Sequence, residues 1–250
     1  MAQEKETFII GGWLKAREAG SGAPFQKVGL VSTVQQTIET NDITLNDTTT
    51  PQGGEYDAVS RITSMSLSIN FRELYTWVLA ALVWGDATSV ASTTITDEEV
   101  TAVPGSTAAL AQMPLEITEV TDATGTTTYD EVDDYIMTGS GIEFVEGGAI
   151  SASTPVKVTY TTAAVDVIEA LTNSGKVFEF LFEGENAAGT QKRIECRYWR
   201  CRLNPANQQD WINVDDFLQS QATAKVLSDP TKVGAGKSKY CRIKKEKAAA

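Results

Sequence analysis

Hydrophobic and polar residues alternate along much of the chain. From 63 to 71, Met65, Leu67, Ile69 and Phe71 fall on one side and Ser64, Ser66, Ser68 and Asn70 on the other. This period of two predicts a strand with one buried and one wet face. Val156, Val158 and Tyr160 alternate likewise, as do Phe178, Phe180 and Phe182, opposed by Glu179 and Glu183. Residues 192–203 predict another long strand, joined to the Phe strand by the turn-rich Gly184-Glu185-Asn186-Ala187-Ala188-Gly189. Further candidates are 28–39, 115–120 and 219–227. One helix is expected over 73–84, where Leu74, Val78, Leu79 and Leu82 share a face and Gly85 caps the end. It follows directly on the alternating strand, so it should pack against the sheet. The expected fold is mainly β with one flanking helix.

Two stretches break the pattern. Residues 41–56 are rich in Asn, Asp, Thr, Gly and Pro, which reads as a long polar loop. Residues 231–250 hold Gly234, Gly236 and a Lys-rich end, which reads as a basic tail without structure of its own. The N-terminal segment 1–12 is expected to be flexible as well. Residues 86–109 are Thr/Ser/Ala-rich and acidic and give no assignable element. The resulting division is one domain over 1–231 followed by the tail 232–250.

Composition then narrows the chemistry. With 42% apolar and 22% charged residues over 250 positions, the chain can bury a core unaided. It contains no histidine, which excludes Ser-His-Asp and Cys-His nucleophiles and His-bearing zinc sites. Its three cysteines, Cys196, Cys201 and Cys241, cannot make a disulfide framework and fit a reducing compartment. Cys196 and Cys201 are five apart, so a regular strand points them to opposite faces. The most apolar run, 74–84, is half the ~20 residues of a membrane span. The start of the chain lacks a secretory signal, so the reading is a soluble protein made in a cytosol.

The net charge of −12 is uneven. From 232 to 247 there are seven Lys/Arg and one Glu, whereas the 84 residues between Arg72 and Lys157 hold fourteen Asp/Glu and no base. Such an acidic block repels nucleic acid, whose binding rests on Lys and Arg displacing counterions.

Catalytic and cofactor motifs fail one by one. Gly234-Ala235-Gly236-Lys237-Ser238 shares the end of a phosphate-binding loop, but the required earlier glycine is Thr231 and no apolar helix follows. The carboxylates from Asp122 to Asp134 lack calcium-loop spacing and read as a solvated acidic hairpin. Trp77, Trp84, Trp199 and Trp211 read as core or interface anchors. Cys196 and Cys201 lie among arginines but have no partner motif, and read as structural. The expectation is no catalytic residue, no cofactor, no metal and no enzyme activity.

Several pieces, in order, resemble the major tail tube proteins of long-tailed, non-contractile bacteriophages. They are Thr7-Phe8-Ile9-Ile10-Gly11-Gly12, Pro24-Phe25-Gln26-Lys27-Val28-Gly29, and the strand from Arg61 to Ile69 running into the helix that ends at Gly85. Asp133-Asp134-Tyr135, Gly141-Ile142, Pro155-Val156-Lys157-Val158-Thr159-Tyr160, Phe182-Glu183-Gly184-Glu185-Asn186 and Val226-Leu227-Ser228-Asp229-Pro230 are also similar. Each motif is short; their order along nearly the whole chain carries the resemblance.

The resemblance implies a tail-tube-type β-sandwich or barrel whose copies form hexameric rings, stacked into a hollow tube that delivers DNA to the host. Implied partners are the chain itself, the tape measure and tail-end proteins, and genomic DNA passing without sequence-specific binding; no membrane is involved. The implied location is the virion tail, assembled in the bacterial host cytoplasm. Phe8, Ile9, Asn46, Asp47, Thr48, Glu55, Lys244 and Lys245 are the expected assembly contacts. Acidic faces would line the lumen, and the basic end would dock on the next ring. A contractile-tail or type VI secretion tube, and a capsid decoration or adhesion module, are the alternatives.

Overall fold

The computed structural model describes residues 7–188, 192–206, 208–209 and 211–247. The chain forms two compact units, Thr88–Val167 being inserted into a first unit built from residues 1–87 and 168–250. The division expected from sequence, one domain to 231 and then a tail, is corrected on both counts.

In chain order the first unit contributes β1 (Ile10–Glu18), β2 (Gln26–Lys27), β3 (Val31–Asn46), β4 (Glu55–Phe71) and helix α1 (Thr76–Leu82). The chain crosses to the second unit in β5 (Asp86–Val90). There follow β6 (Thr94–Ala102), β7 (Thr107–Ala109), β8 (Pro114–Asp122), β9 (Tyr135–Thr138), β10 (Gly141–Phe144) and β11 (Thr154–Thr162). It returns in β12 (Val165–Glu169), which pairs with β5. The first unit is completed by β13 (Val177–Asn186), β14 (Arg193–Leu203), β15 (Gln208–Gln209), β16 (Ser220–Val226) and β17 (Cys241–Lys245).

The first unit is organised by one nine-stranded sheet, ordered β2-β1-β13-β14-β16-β4-β3, with β15 on β16 and β17 on β14. Among the described residues its strand pairs are antiparallel, and the sheet does not close into a barrel. Its core is the alternating set read from sequence: Met65, Leu67, Ile69 and Phe71 meet Leu14, Phe178, Phe180, Tyr198 and Leu203. The helix starts at Thr76 rather than residue 73 and buries Val78, Ala80 and Leu82. It ends where Trp84 takes φ +52 and the Gly85 amide bonds back to Ala80. A Cβ on Gly85 would fall 2.3 Å from the Glu169 carbonyl oxygen, so the close approach selects glycine here.

The second unit has two three-stranded sheets, β6-β11-β8 and β7-β10-β9. They share a core of Val120, Val156, Val158, Tyr160, Ile142, Phe144 and Tyr135. The unassigned stretch 86–109 is therefore β5, β6 and β7. The Tyr160 hydroxyl donates to Glu98 at 2.6 Å; its burial, and then this carboxylate, push it up to about 12.

Three expectations about irregular segments are corrected. The loop 41–56 is mostly strand: β3 and β4 pair from Val31↔Phe71 to Asn46↔Glu55, leaving a turn at 47–54. Beyond β16, which stops pairing at Lys225↔Ser66, these strands form a two-stranded ribbon exposed on both faces. With neither face buried, its apolar alternation shrinks to Ile43 and Leu45 opposite Val59. The basic tail is tied down: β17 pairs with β14 from Ile194↔Lys245 to Tyr198↔Cys241. At the other terminus, Ile10–Gly12 already belong to β1, and Ile9 donates to Asn186 at 2.8 Å. Residues 1–6 and 248–250 lie outside the described ones.

Cys196 and Cys201 both lie on the core side, not on opposite faces. A bulge puts Phe178 opposite Cys201 but Phe180 opposite Tyr198, so β14 carries one extra residue between the cysteines. That residue reverses the parity. Cys201 is fully buried, and Cys196 and Cys241 pack against the same core. Burial raises all three thiols, the reverse of activation.

Candidate functional site

The expected assembly residues fall into two groups. Phe8, Ile9, Lys244 and Lys245 gather where β1 and β14 begin and β13 and β17 end. The Lys245 ammonium sits 5.0 Å from the Phe8 ring centroid, and Lys244 pairs with Glu195 at 2.8 Å. Lys244 and Lys245 thus each have a partner within their own chain. Asn46, Asp47, Thr48 and Glu55 form the ribbon tip. The Asp47 amide donates to the Gly54 carbonyl at 2.7 Å, and its carboxylate accepts from the Thr49 hydroxyl and amide. Those two bonds hold Asp47 below the usual carboxylate range. In register, both groups lie toward the same end of the sheet.

The sheet is unfinished at both margins. β3 lies at one end of the strand order, with β4 on its inner side only. At the other margin β2 covers β1 only opposite Lys15 and Ala16. Such margins expose rows of unpaired amides and carbonyls, the usual template for adding another strand.

Sequence reasoning missed two apolar surfaces. On the ribbon, Ile43 pairs with Val59, and Leu45 lies two residues along on the same face; all three are about half exposed. The second is the segment before β16, where Trp211, Ile212, Val214 and Phe217 are 73%, 87%, 91% and 82% exposed. Of the four tryptophans read as anchors, Trp77, Trp84 and Trp199 are partly or fully buried; Trp211 is not. Its signal was present in Trp-Ile-Asn-Val-Asp-Asp-Phe, where apolar residues fit neither strand nor helix periodicity.

It also missed a charged cluster on the back of the sheet. Glu179, expected on a wet face, is buried between Arg17 and Arg197, whose Nε atoms donate to it at 2.7 and 2.6 Å. Arg197 stacks near the rings of Phe25 and Trp199, at 5.3 and 5.1 Å. An open cavity of about 440 Å³ borders this cluster, lined also by Arg200, Asp229 and Lys232. Its cations are engaged: Arg200 donates to the Ser228 carbonyl and Lys232 lies 3.9 Å from Asp229. The Gly234–Ser238 segment that resembled a phosphate loop covers Trp199 instead, whose indole donates to the Ser238 carbonyl.

The acidic stretch of the second unit is held by its own backbone. Asp122 accepts from the Thr126 and Thr127 amides and the Thr124 and Thr126 hydroxyls. Although desolvation opposes ionisation, these bonds hold its carboxyl down to about 2. Among the described residues no group of three or more Cys, Asp or Glu is placed to hold a metal ion. No helix among them is long and apolar enough to cross a membrane.

The family model described as "Protein of unknown function UCP028589" matches residues 7–244. The chain belongs to that family. No curated protein matches it. The match runs through both units and reaches Lys244 in β17, so the insert and most of the basic end lie within the family's span.

Proposed function

We propose that this chain is the tail tube subunit of a long-tailed, non-contractile bacteriophage, forming hexameric rings that stack into a hollow tube for DNA. One observation carries the reading: the sheet of the first unit is open at both margins, with the sixteen-residue β3 at one and β1 at the other. Joining one copy's β3 margin to the next copy's β1 margin is a heterologous contact, which generates a ring when the rotation closes. Six such contacts would pair both outer margins of the large sheet in every copy.

The charge distribution supports passage rather than capture of DNA. Thr88–Val167 holds thirteen Asp/Glu and one base, Lys157, and so carries −12. The remaining 20 acidic and 20 basic residues cancel. A surface this acidic offers no counterion-release gain to a polyanion. In this reading the tape measure and tail-end proteins are partners, and the location is the virion tail.

Negative-stain electron microscopy of the concentrated protein, paired with light scattering, tests the proposal. Hollow tubes or six-fold rings are expected. A closed dimer or trimer under every condition would sink it and favour a decoration module. Reversing Lys244 and Lys245 tests the docking of the basic end: unchanged assembly at low and high salt removes that contact from the scheme.

A further inference from the structure

The two exposed apolar surfaces sit at opposite ends of the same strand pair. Phe71, the last residue of β4, pairs with both Val31 and Ser220, so 211–217 lies at that end. The Ile43–Val59 stripe lies toward the other end. Twelve residues separate Val59 from Phe71, roughly 40 Å at ~3.4 Å per residue, so the surfaces are far apart within one chain.

Both surfaces are preorganised. In 211–217, Asn213 Oδ1 accepts from the Asp215 and Asp216 amides at 3.1 and 3.0 Å. Arg72 clamps the segment by donating to Asp216 at 3.1 Å and to the Phe217 carbonyl at 3.4 Å. The fixed backbone therefore presents its apolar side chains outward at little further ordering cost. On the ribbon, Ser60 donates to Asp42 on the face opposite the stripe, which fixes which side chains share it. Arg61 is on the stripe's own face, one pair along from Val59. A two-stranded ribbon is marginal in water unless something packs on it.

We propose that the 211–217 segment of one copy docks on the Ile43–Leu45–Val59 stripe of a second copy, with Asp215 facing Arg61. Apolar surface meets apolar surface; in the segment Asp216 is already held by Arg72, and on the stripe Arg61 lies at the opposite end from the acid on the same face, Asp57, which pairs with Leu45. Trp211 and Phe217 together supply on the order of 300–500 Å². This is about half of the ~800 Å² per partner in a standard interface, so a single contact is weak and gains strength by repetition around a ring. The proposal rests on the preceding reading only in taking a second copy as partner; it adds the pair of surfaces that join copies along the strand direction. The three aspartates in 210–216 argue against an anionic lipid surface as the occupant.

Two singly blocked variants isolate the contact. Ile43→Asp keeps the segment and loses the stripe; Trp211→Asp does the reverse. Both positions are exposed, and circular dichroism checks that the variants keep the wild-type fold. By sedimentation at high protein concentration, each variant alone should lack this contact, and the mixture should add a 1:1 heterodimer. Reversing either Arg61 or Asp215 should weaken that heterodimer about tenfold at low salt, and reversing both should restore it. The docking is overturned if mixing adds no species, if the double reversal fails to rescue, or if Trp211 instead drives binding to zwitterionic lipid vesicles. A heterodimer from variants whose wild-type parent forms single-file chains would retain the docking and discard the ring. Stacked wild-type rings that persist in Trp211→Asp would do the opposite.

Discussion

The Arg17–Glu179–Arg197 cluster shows how one side chain can fix three strands at once. Glu179 on β13 is flanked by Arg17 on β1 and Arg197 on β14, and its side chain is only 7% exposed. Removing a buried partner leaves charge uncompensated, at ~3–5 kcal/mol for fully buried pairs. Arg197 is 31% exposed, so solvent reduces this, and Glu179→Ala should cost about 2–3 kcal/mol in denaturant unfolding. A loss below about 1 kcal/mol would show that the arginines find other partners. At Asp122 the effect depends on pH. Its carboxyl is lowered from 3.8 to about 2, so its contribution is fully present above 3.8 and fades as pH falls through about 2. Asp122→Ala should speed amide exchange at Thr126 and Thr127 at pH 5, and the difference from wild type should shrink as pH falls from 3.8 through about 2. The thiols offer a third readout. Buried and raised by desolvation, Cys201 should resist a thiol reagent until the protein unfolds, with Cys196 and Cys241 reacting slowly before it.

Among the elements, β1 and β13 approach each other closely where two glycines meet. Gly12 faces Gly184, and a Cβ on Gly12 would lie 2.1 Å from the Glu183 carbonyl oxygen, an overlap only backbone movement relieves. Gly11 has open space at the same position. Gly12→Ala should therefore lower thermal stability by at least ~1–3 kcal/mol while Gly11→Ala stays within about 0.5. Equal effects would show that the pairing relaxes freely. The same contrast explains what the sequence made legible. Strands with one buried face, such as β4 from Met65 to Phe71 and β11, announce themselves by alternation. The ribbon did not, because no face is buried and Asn41, Asp42, Asn46 and Asp47 favour turns. Its remaining signal was β-branched content: Thr37, Ile38, Thr40, Ile43 and Thr44 opposite Val59 and Ile62. β17 was hidden similarly, its Lys and Arg side chains masking a strand whose partner lies over 40 residues earlier. Six of the eight expected assembly residues belong to such segments, so their positions became clear only once pairing was known.

For the whole molecule, the decisive fact is where the charge resides. The first unit is neutral overall and carries the open sheet margins and both apolar surfaces; the inserted unit carries the entire −12. The sequence exposed the acidic stretch but not its separation into a folded unit, because one of its two sheets is built from β7, β9 and β10, which have only three or four residues each. The insert enters through β5 and leaves through its pairing partner β12, so the chain ends it leaves behind are adjacent. Joining Ala87 to Ile168 by a short turn should therefore leave the first unit folded around its own core, with its circular dichroism and cooperative melt retained. Every intact copy repels the next through −12 of like charge, and that repulsion is screened beyond ~8 Å at physiological salt. Self-association of the intact chain should accordingly rise steeply as salt is added. The shortened chain, with no net charge, should associate at low salt and respond little to more. Light scattering across a salt series measures both slopes. Parallel slopes would mean that the charge of the insert does not govern association, and that its place in the assembly must be sought in direct contacts instead.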